Sequence, residues 1–285
     1  MRILVLGGDG MLGHQLFHRL RVHHEVRVTL RRDLSFYDKY GMFTEENTYG
    51  GIDLRFPIVL EEKVLENFCP EAVINCAGII KQHAQVKESI PNLEINALLP
   101  HRLSVICKLI NARFLHFSTD CVFSGKKGNY REDDVPDAED LYGRTKFLGE
   151  VYDSHCLTLR TSIVGPELSR KKSLLEWFLS QKGRVQGYTN AIFSGFTTIE
   201  MGRIVDHVLV NHPDASGIYH VSSEPINKYD LLHLFREKFK HDIQIESDAT
   251  FCCDRSLDSG KFRRKFDYTP PSWEEMVDEL PDMRL

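Results

Sequence analysis

The 285-residue chain has no apolar stretch long enough to cross a bilayer, no low-complexity tract and no internal repeat, so neither a membrane span nor a solenoid is expected. Positive charge is not in excess either. Its 36 Lys and Arg against 41 Asp and Glu leave a formal net charge of -5, which argues against nucleic acid as a partner. Seven cysteines (Cys69, Cys76, Cys107, Cys121, Cys156, Cys252 and Cys253) are odd in number and lack paired metal-ligand spacing, so a reducing cytoplasm is the simplest setting. Among thirteen histidines only His14 and His18 have ligand-like i, i+4 spacing, and helix packing or surface exposure accounts for them; no metal is expected. The opening run Met1-Arg2-Ile3-Leu4-Val5-Leu6 enters a glycine turn directly, unlike a secretion signal.

What is present is an ordinary globular balance, 42% hydrophobic and 27% charged residues. Strand-like runs at 2–6, 25–30, 72–76, 113–118 and 156–160 alternate with helical stretches at 11–20, 61–68, 93–110 and 141–152. That alternation predicts an α/β fold, a Rossmann-type doubly wound parallel sheet, over residues 1–162. A polar and aromatic stretch between Arg32 and Gly51 is expected to hold a short helix or to cover a cofactor. After Ser162 the pattern is less regular, with helices expected at 173–181, 198–210, 228–240 and 273–280 and strands at 218–221 and 243–246. Residues 163–285 are read as mainly a smaller α/β substrate-binding lobe, with later segments returning to the first domain.

The first strand runs into Gly7-Gly8-Asp9-Gly10-Met11-Leu12-Gly13 and then a helix. Glycines there let the backbone turn tightly and approach a pyrophosphate, while the helix N-terminus offers free N–H groups and a positive dipole end. The end of the second strand is expected to meet the adenosine ribose, where Arg31 and Arg32 suit a 2′-phosphate and so NADPH, with NADH as the alternative. Asp53 could reach the adenine edge, and the small residues of Asn75-Cys76-Ala77-Gly78 would let the cofactor pass closely. The expected cofactor set is Gly7, Gly10, Met11, Leu12, Gly13, Arg31, Arg32, Asp53, Cys76, Ala77, Gly78 and Asn96, with Tyr142 and Lys146.

Farther on, Phe117-Ser118-Thr119-Asp120 ends a strand, and Tyr142-Gly143-Arg144-Thr145-Lys146 follows on a helix. A free phenol, with a pKa of about 10, is a poor acid at neutral pH. Lys146, one turn from Tyr142 on the same face, can stabilise phenolate character, and a hydroxyl from Thr119 or Ser118 can complete the hydrogen bonding around a substrate carbonyl. Tyr-x-x-x-Lys alone occurs often by chance. The order of glycine turn, hydroxyl-bearing strand end and Tyr/Lys helix is what points to a nicotinamide-dependent carbonyl enzyme.

These residues, with Leu159-Arg160-Thr161-Ser162, Arg255-Ser256-Leu257 and Phe266-Asp267-Tyr268, resemble the extended short-chain dehydrogenase/reductases, and within them the dTDP-4-dehydrorhamnose reductase family. The resemblance covers nearly the whole chain. It implies Thr119, Tyr142 and Lys146 as the catalytic set, and NADPH-dependent reduction of the C4 keto group of a nucleoside-diphosphate 4-keto-6-deoxysugar, in deoxysugar and surface-polysaccharide biosynthesis. Ser118, Thr119, Asp120, Cys121, Arg160 and Phe193 are the expected substrate contacts, Arg160 toward the diphosphate.

Two features depart from the family pattern. Cys121 stands where a tyrosine is usual, and the loop Ile79-Ile80-Lys81-Gln82-His83-Ala84 differs, so the sugar is open. The acidic pair of the related 4,6-dehydratases is also missing, since Asp120 is followed by cysteine. Two other functions stay in view: a sugar-nucleotide epimerase with bound NAD, and a non-catalytic NADP-binding regulatory subunit. A homodimer is compatible with each.

Overall fold

The first strand, β1 (Arg2–Leu6), sends Ile3 and Val5 into one hydrophobic cluster and Leu4 and Leu6 into another. A strand buried on both faces belongs inside a parallel sheet. It takes that place in the computed structural model, which describes residues 1–56, 64–81, 87–169 and 171–281. Beside it lie β2 (Glu25–Thr29), β3 (Thr48–Tyr49), β4 (Ala72–Asn75), β5 (Arg113–Thr119) and β6 (Cys156–Thr161).

Four two- to six-residue strands follow, β7 (Ile163–Val164), β8 (Gly183–Tyr188), β9 (Ala191–Phe193) and β10 (Phe196–Thr197), before β11 (Gly217–His220). The main sheet has seven strands in the order β3-β2-β1-β4-β5-β6-β11, all neighbours parallel. Strand order reverses between β1 and β4, and the crevice at such a switch point is where sheets of this type hold ligands.

Helix α1 (Met11–Leu20) packs Leu12, Leu16 and Phe17 against one face of the sheet. The other face is covered by α2, a continuous helix made of Ser89–Asn92, a π-helical stretch Leu93–Leu98 and Leu99–Leu109, through Leu99, Leu103 and Ile106. Helix α3 (Leu141–Leu148) lies against α2.

Beyond β6 the chain adds α4 (Leu174–Ser180), α5 (Thr198–Asn211), α6 (Lys228–Phe239), α7 (Gly260–Phe266) and α8 (Trp273–Asp278), the last opened by a reciprocal Ser272/Glu275 capping box. Strand β8 pairs in parallel with β13 (Ile243–Asp248), and β9 lies between β12 (Ile226–Asn227) and β14 (Cys253–Asp254).

The structure adds to the sequence reading in some places and departs from it in others. The stretch after Arg32 forms a short 3-10 helix, Leu34–Tyr40, and then supplies β3, the outer strand of the main sheet. Two residues are too few to show a strand period. The strand expected at 218–221 is β11, which sits at the far edge of the main sheet. The helix expected to reach Tyr152 stops at Leu148, two residues before Glu150, whose carboxylate turns into the core. Of the helix expected at 61–68, Glu66–Phe68 is helical, and residues 61–63 lie outside the described residues.

Candidate active site

The glycine turn is built by close approach. Gly7 has φ +80°, and a Cβ there would stand 3.2 Å from the Ala77 backbone; a Cβ on Gly13 would stand 2.1 Å from the Gly7 carbonyl oxygen. Only glycine lets β1, β4 and α1 meet so closely. Gly10 heads α1 with no side-chain cap, leaving the first-turn N–H groups to face the cleft. A Cβ on Gly10 would meet only the Gly7 oxygen, at 3.3 Å, so its outer side is open space, and a pyrophosphate fits this cradle.

Two adjoining hollows share Asp9, Gly10, Cys76, Ala77 and Gly78. The smaller, about 120 Å³, is lined by Thr29, Arg31, Asp53, Arg55 and Ile79, as an adenosine site would be. The larger, about 440 Å³, runs past Met11, Leu12, Ser118, Thr119, Asp120, Cys121, Tyr142, Lys146 and Phe193. Phe193 stacks at a tilt on Trp273, 5.5 Å between ring centroids, which fixes its place on the wall.

Several expected residues do other work. Arg32 lies over the Phe36 ring at 4.2 Å and its carbonyl holds Gly51, and it lines neither hollow; Arg31 alone of the pair does. Asp53 lines the smaller hollow with both carboxylate oxygens bonded to Arg55, and that bond holds it below the usual carboxylate range. Asn96 is fully buried, with its amide donating to the Ile79 carbonyl and accepting from the Ile79 N–H, both at 2.9 Å. It pins the loop beside the cofactor cleft from behind. His14 donates from Nδ1 to the Gly10 carbonyl at 2.8 Å, so it is a brace of the turn.

Arg160 is the largest correction. Its side chain is 4% exposed and makes two 2.8 Å bonds to Glu150, itself 3% exposed, and neither residue lines either hollow. Ser118, which borders the larger hollow, spends its hydroxyl proton on Glu150 at 2.6 Å. His220 accepts from the Arg160 guanidinium at 3.1 Å and donates from Nδ1 to the Tyr130 carbonyl at 2.9 Å. Burial, then Arg160, brings His220 down to about 3, so it stays neutral.

The reacting groups are held from both ends. Asp140 caps α3 by accepting from the Gly143 N–H at 2.8 Å, and its other oxygen takes Lys81 at 2.6 Å; the Lys81 amine lies over the Tyr142 ring at 5.8 Å. Thr119 accepts from the Cys121 N–H and donates to Asp120, each at 3.1 Å. Burial raises the Tyr142 phenol well above its ordinary range, Cys121 adds to this, and a hydrogen bond with the Thr119 hydroxyl works against it. Lys146 donates to the Phe117 carbonyl at 2.6 Å, and burial brings it down to about 8 against the pull of Glu150.

Burial pushes the Cys121 thiol up to about 12, which leaves it protonated and unsuited to nucleophilic chemistry. Among the described residues, no three of His, Cys, Asp and Glu come together as a metal-ligand group.

Sequence reasoning missed Asp9, Lys81, Glu167, Lys228 and Arg255, which also line the larger hollow. Asp9 could have been read from its place inside the glycine turn, where it accepts the Tyr37 hydroxyl at 2.9 Å. Lys81 lies in the loop that departs from the family pattern and Arg255 in a stretch that carries the resemblance, but no spacing ties them, Glu167 or Lys228 to the glycine turn or to the Tyr142/Lys146 helix. Of the loop that departs from the family pattern, Gln82-His83-Ala84 lies outside the described residues.

Residues 1–283 match the family model described as the RmlD substrate binding domain. The chain belongs to this family. A dTDP-4-dehydrorhamnose reductase of Aggregatibacter actinomycetemcomitans is 23% identical over 98% of this chain and 98% of its own length. The methionine adenosyltransferase 2 subunit beta of Xenopus laevis is 33% identical over a shorter stretch, 52% of this chain and 41% of that protein. Among solved structures, a hypothetical dTDP-4-dehydrorhamnose reductase from Sulfolobus tokodaii is 26% identical, with a TM-score of 0.77 over 96% of this chain and 98% of that one.

Proposed function

We propose that this RmlD-family chain is an NADPH-dependent reductase of the C4 keto group of a nucleoside-diphosphate 4-keto-6-deoxysugar. One observation carries the reading: Thr119, Tyr142 and Lys146 line the same hollow as the glycine turn, so cofactor cradle and proton donor face one substrate site. Gly7 to Gly13 would hold the pyrophosphate, Arg31 the 2′-phosphate, and Cys76, Ala77 and Gly78 the passing edge of NADPH. Bound there, NADPH supplies a hydride to the substrate carbonyl carbon.

The protein's own part is to place and protonate. Thr119 and Tyr142 hydrogen-bond the keto oxygen and hold it against the cofactor. Since burial keeps the Tyr142 phenol protonated at neutral pH, it is the acid that delivers a proton as charge develops on that oxygen. Asp120, Cys121 and Phe193 shape the sugar pocket. Residues after 162 supply the outer wall through Glu167, Phe193, Lys228 and Arg255, which is the work of a substrate lobe.

A cytoplasmic homodimer fits the surface. The seven cysteines are free thiols, and Leu98, Val105 and Leu109 on α2 with Phe147 and Leu148 on α3 leave apolar side chains exposed on two adjacent helices. The acidic balance and small-molecule cleft speak for a sugar nucleotide rather than nucleic acid. A binding-subunit reading has the Xenopus relative behind it; the assembled Thr119, Tyr142 and Lys146 favour an enzyme. The test is NADPH absorbance with dTDP- and UDP-linked 4-keto-6-deoxysugars made in situ. The wild type oxidises NADPH with at least one of them and Tyr142→Phe does not. Silence across the panel with NADPH binding intact would overturn the reductase reading.

A further inference from the structure

Behind Lys146 lies a buried imidazole that the proposed reaction does not use. His116, on β5, is completely buried and stacks on Phe114. Its Nε2 stands 3.5 Å from the Lys146 amine, and its Nδ1 stands 3.2 Å from the amide nitrogen of Asn75, which is 1% exposed at the end of β4.

The orientation of Asn75 follows from a third contact. Its Oδ1 lies 3.1 Å from the Ala77 backbone N–H, which can only donate, so the oxygen must face Ala77 and the NH₂ must face His116. An NH₂ facing Nδ1 makes Nδ1 the acceptor. The ring proton of the neutral imidazole therefore sits on Nε2 and points at Lys146.

That arrangement chooses between the two forms of the lysine. An ammonium has donors only, so it meets Nε2–H donor against donor. A neutral amine accepts Nε2–H through its lone pair while still donating to the Phe117 carbonyl. We propose that His116 is a positioning residue whose Nε2–H, aimed by Asn75, accepts no proton itself and stabilises the neutral amine of Lys146. His116 is held well below its ordinary range by burial first and then by Lys146, which agrees with a neutral ring.

The inference rests on the reading of Tyr142 and Lys146 as the proton-transfer pair of a ketoreductase. In each turnover the Tyr142 O–H bond breaks as the proton passes to the carbonyl oxygen. The phenolate then takes a proton from the Lys146 ammonium, and the amine left behind is the form that His116 favours. Solvent returns the proton to Lys146 before the next cycle. The other titratable groups facing this pair are Glu150 just beyond α3, which favours the ammonium, Cys76 after β4, Tyr142 one turn earlier, and His101 of α2, which faces His116.

The test reads Lys146 directly and needs no substrate. In protein labelled with ¹³C-lysine, the ¹Hε–¹³Cε resonance of Lys146, assigned by its loss in Lys146→Met, is followed by NMR as pH rises. His116→Phe should raise its midpoint by about one pH unit, tenfold in proton affinity. His116→Gln, which can return an N–H near the Nε2 position, should bring the midpoint back toward wild type. Asn75→Ala, should the phenylalanine variant fail to fold, frees the ring to offer its Nε2 lone pair and should raise the midpoint likewise. An unchanged midpoint in His116→Phe or Asn75→Ala, or equal shifts in the Phe and Gln variants, would overturn the proposal. Because the titration involves no sugar, a wild type that reduces none of the keto sugars would sink the ketoreductase reading while leaving the His116–Lys146 result legible.

Discussion

Two buried polar chains run behind the same strand end, and they are finished differently. On one side Ser118, Glu150, Arg160, His220 and Tyr130 form a closed series in which each donor meets an acceptor and the one cation meets the one anion at two points. On the other side Asn75, His116 and Lys146 end on an amine that has, among the described residues, one hydrogen-bond acceptor, Phe117, one facing donor, and only the electrostatic pull of Glu150 from the first chain. The first chain is saturated and holds β5, β6 and β11 in register. The second leaves Lys146 undersupplied, and that unmet demand is available to cofactor, substrate and proton traffic. Burial of charge by itself does not mark a functional group; burial without full pairing does.

The largest effect that would sharpen this contrast is on the open side. Tyr142→Phe should lower the reductase kcat by about 10²–10⁴-fold, the usual worth of a positioned acid, with Tm and NADPH binding little changed because the phenol bonds the Thr119 hydroxyl, itself a site group, and the ring stays in place. A comparable loss of Tm would place Tyr142 in the scaffold and erase the distinction.

On the closed side, Glu150→Ala strands the Arg160 guanidinium in the core and should cost about 3–5 kcal/mol in urea unfolding. The double variant Glu150→Leu with Arg160→Met should recover most of that. A cost under about 1 kcal/mol for the single change would mean that the pair is not the lock described.

Lys146→Met should move stability the other way. With a folded value of about 8 against an ordinary 10.5, the folded state releases its proton between those pH values while the unfolded state keeps it, so wild-type stability rises through that window. The methionine variant should therefore be more stable at pH 7 by about 1–3 kcal/mol, a gain that shrinks toward pH 10 and accompanies loss of activity. A destabilised variant would show that Lys146 is fully paired after all.

The smallest expected effect separates the two arginines after β2. Arg31→Ala should cut the preference for NADPH over NADH about tenfold, the worth of one charge-assisted bond, and Arg32→Ala should leave it unchanged.

The strand and helix alternation and the cradle were legible because both are written locally. The run Ile3 to Leu6, the glycines that follow and the Tyr142/Lys146 spacing each fall within a few turns of chain. Thr119, Tyr142, Lys146, Arg31 and the Cys76 to Gly78 edge all line the expected cleft. The misassignments share one cause. Arg160 was read as a ligand contact because an arginine at a strand end looks solvent-facing, yet its partner Glu150 and its neighbour His220 are ten and sixty residues away. Asn96 is likewise taken up by a partner, the Ile79 backbone. Strand β3 is too short for a period, and Lys81, Lys228 and Arg255 reach the hollow only through tertiary packing.

The central claim is transfer of hydride to C4 of a sugar, and isotope tracing tests it most directly. Wild-type protein is incubated with NADPH deuterated at the transferable position and an in situ-generated nucleoside-diphosphate 4-keto-6-deoxysugar, and the product is read by NMR and mass spectrometry. The account predicts one deuterium at C4 of the product with stoichiometric NADP⁺. A sugar that is recovered as an epimer without deuterium, or unchanged beside tightly bound NADPH, would contradict it.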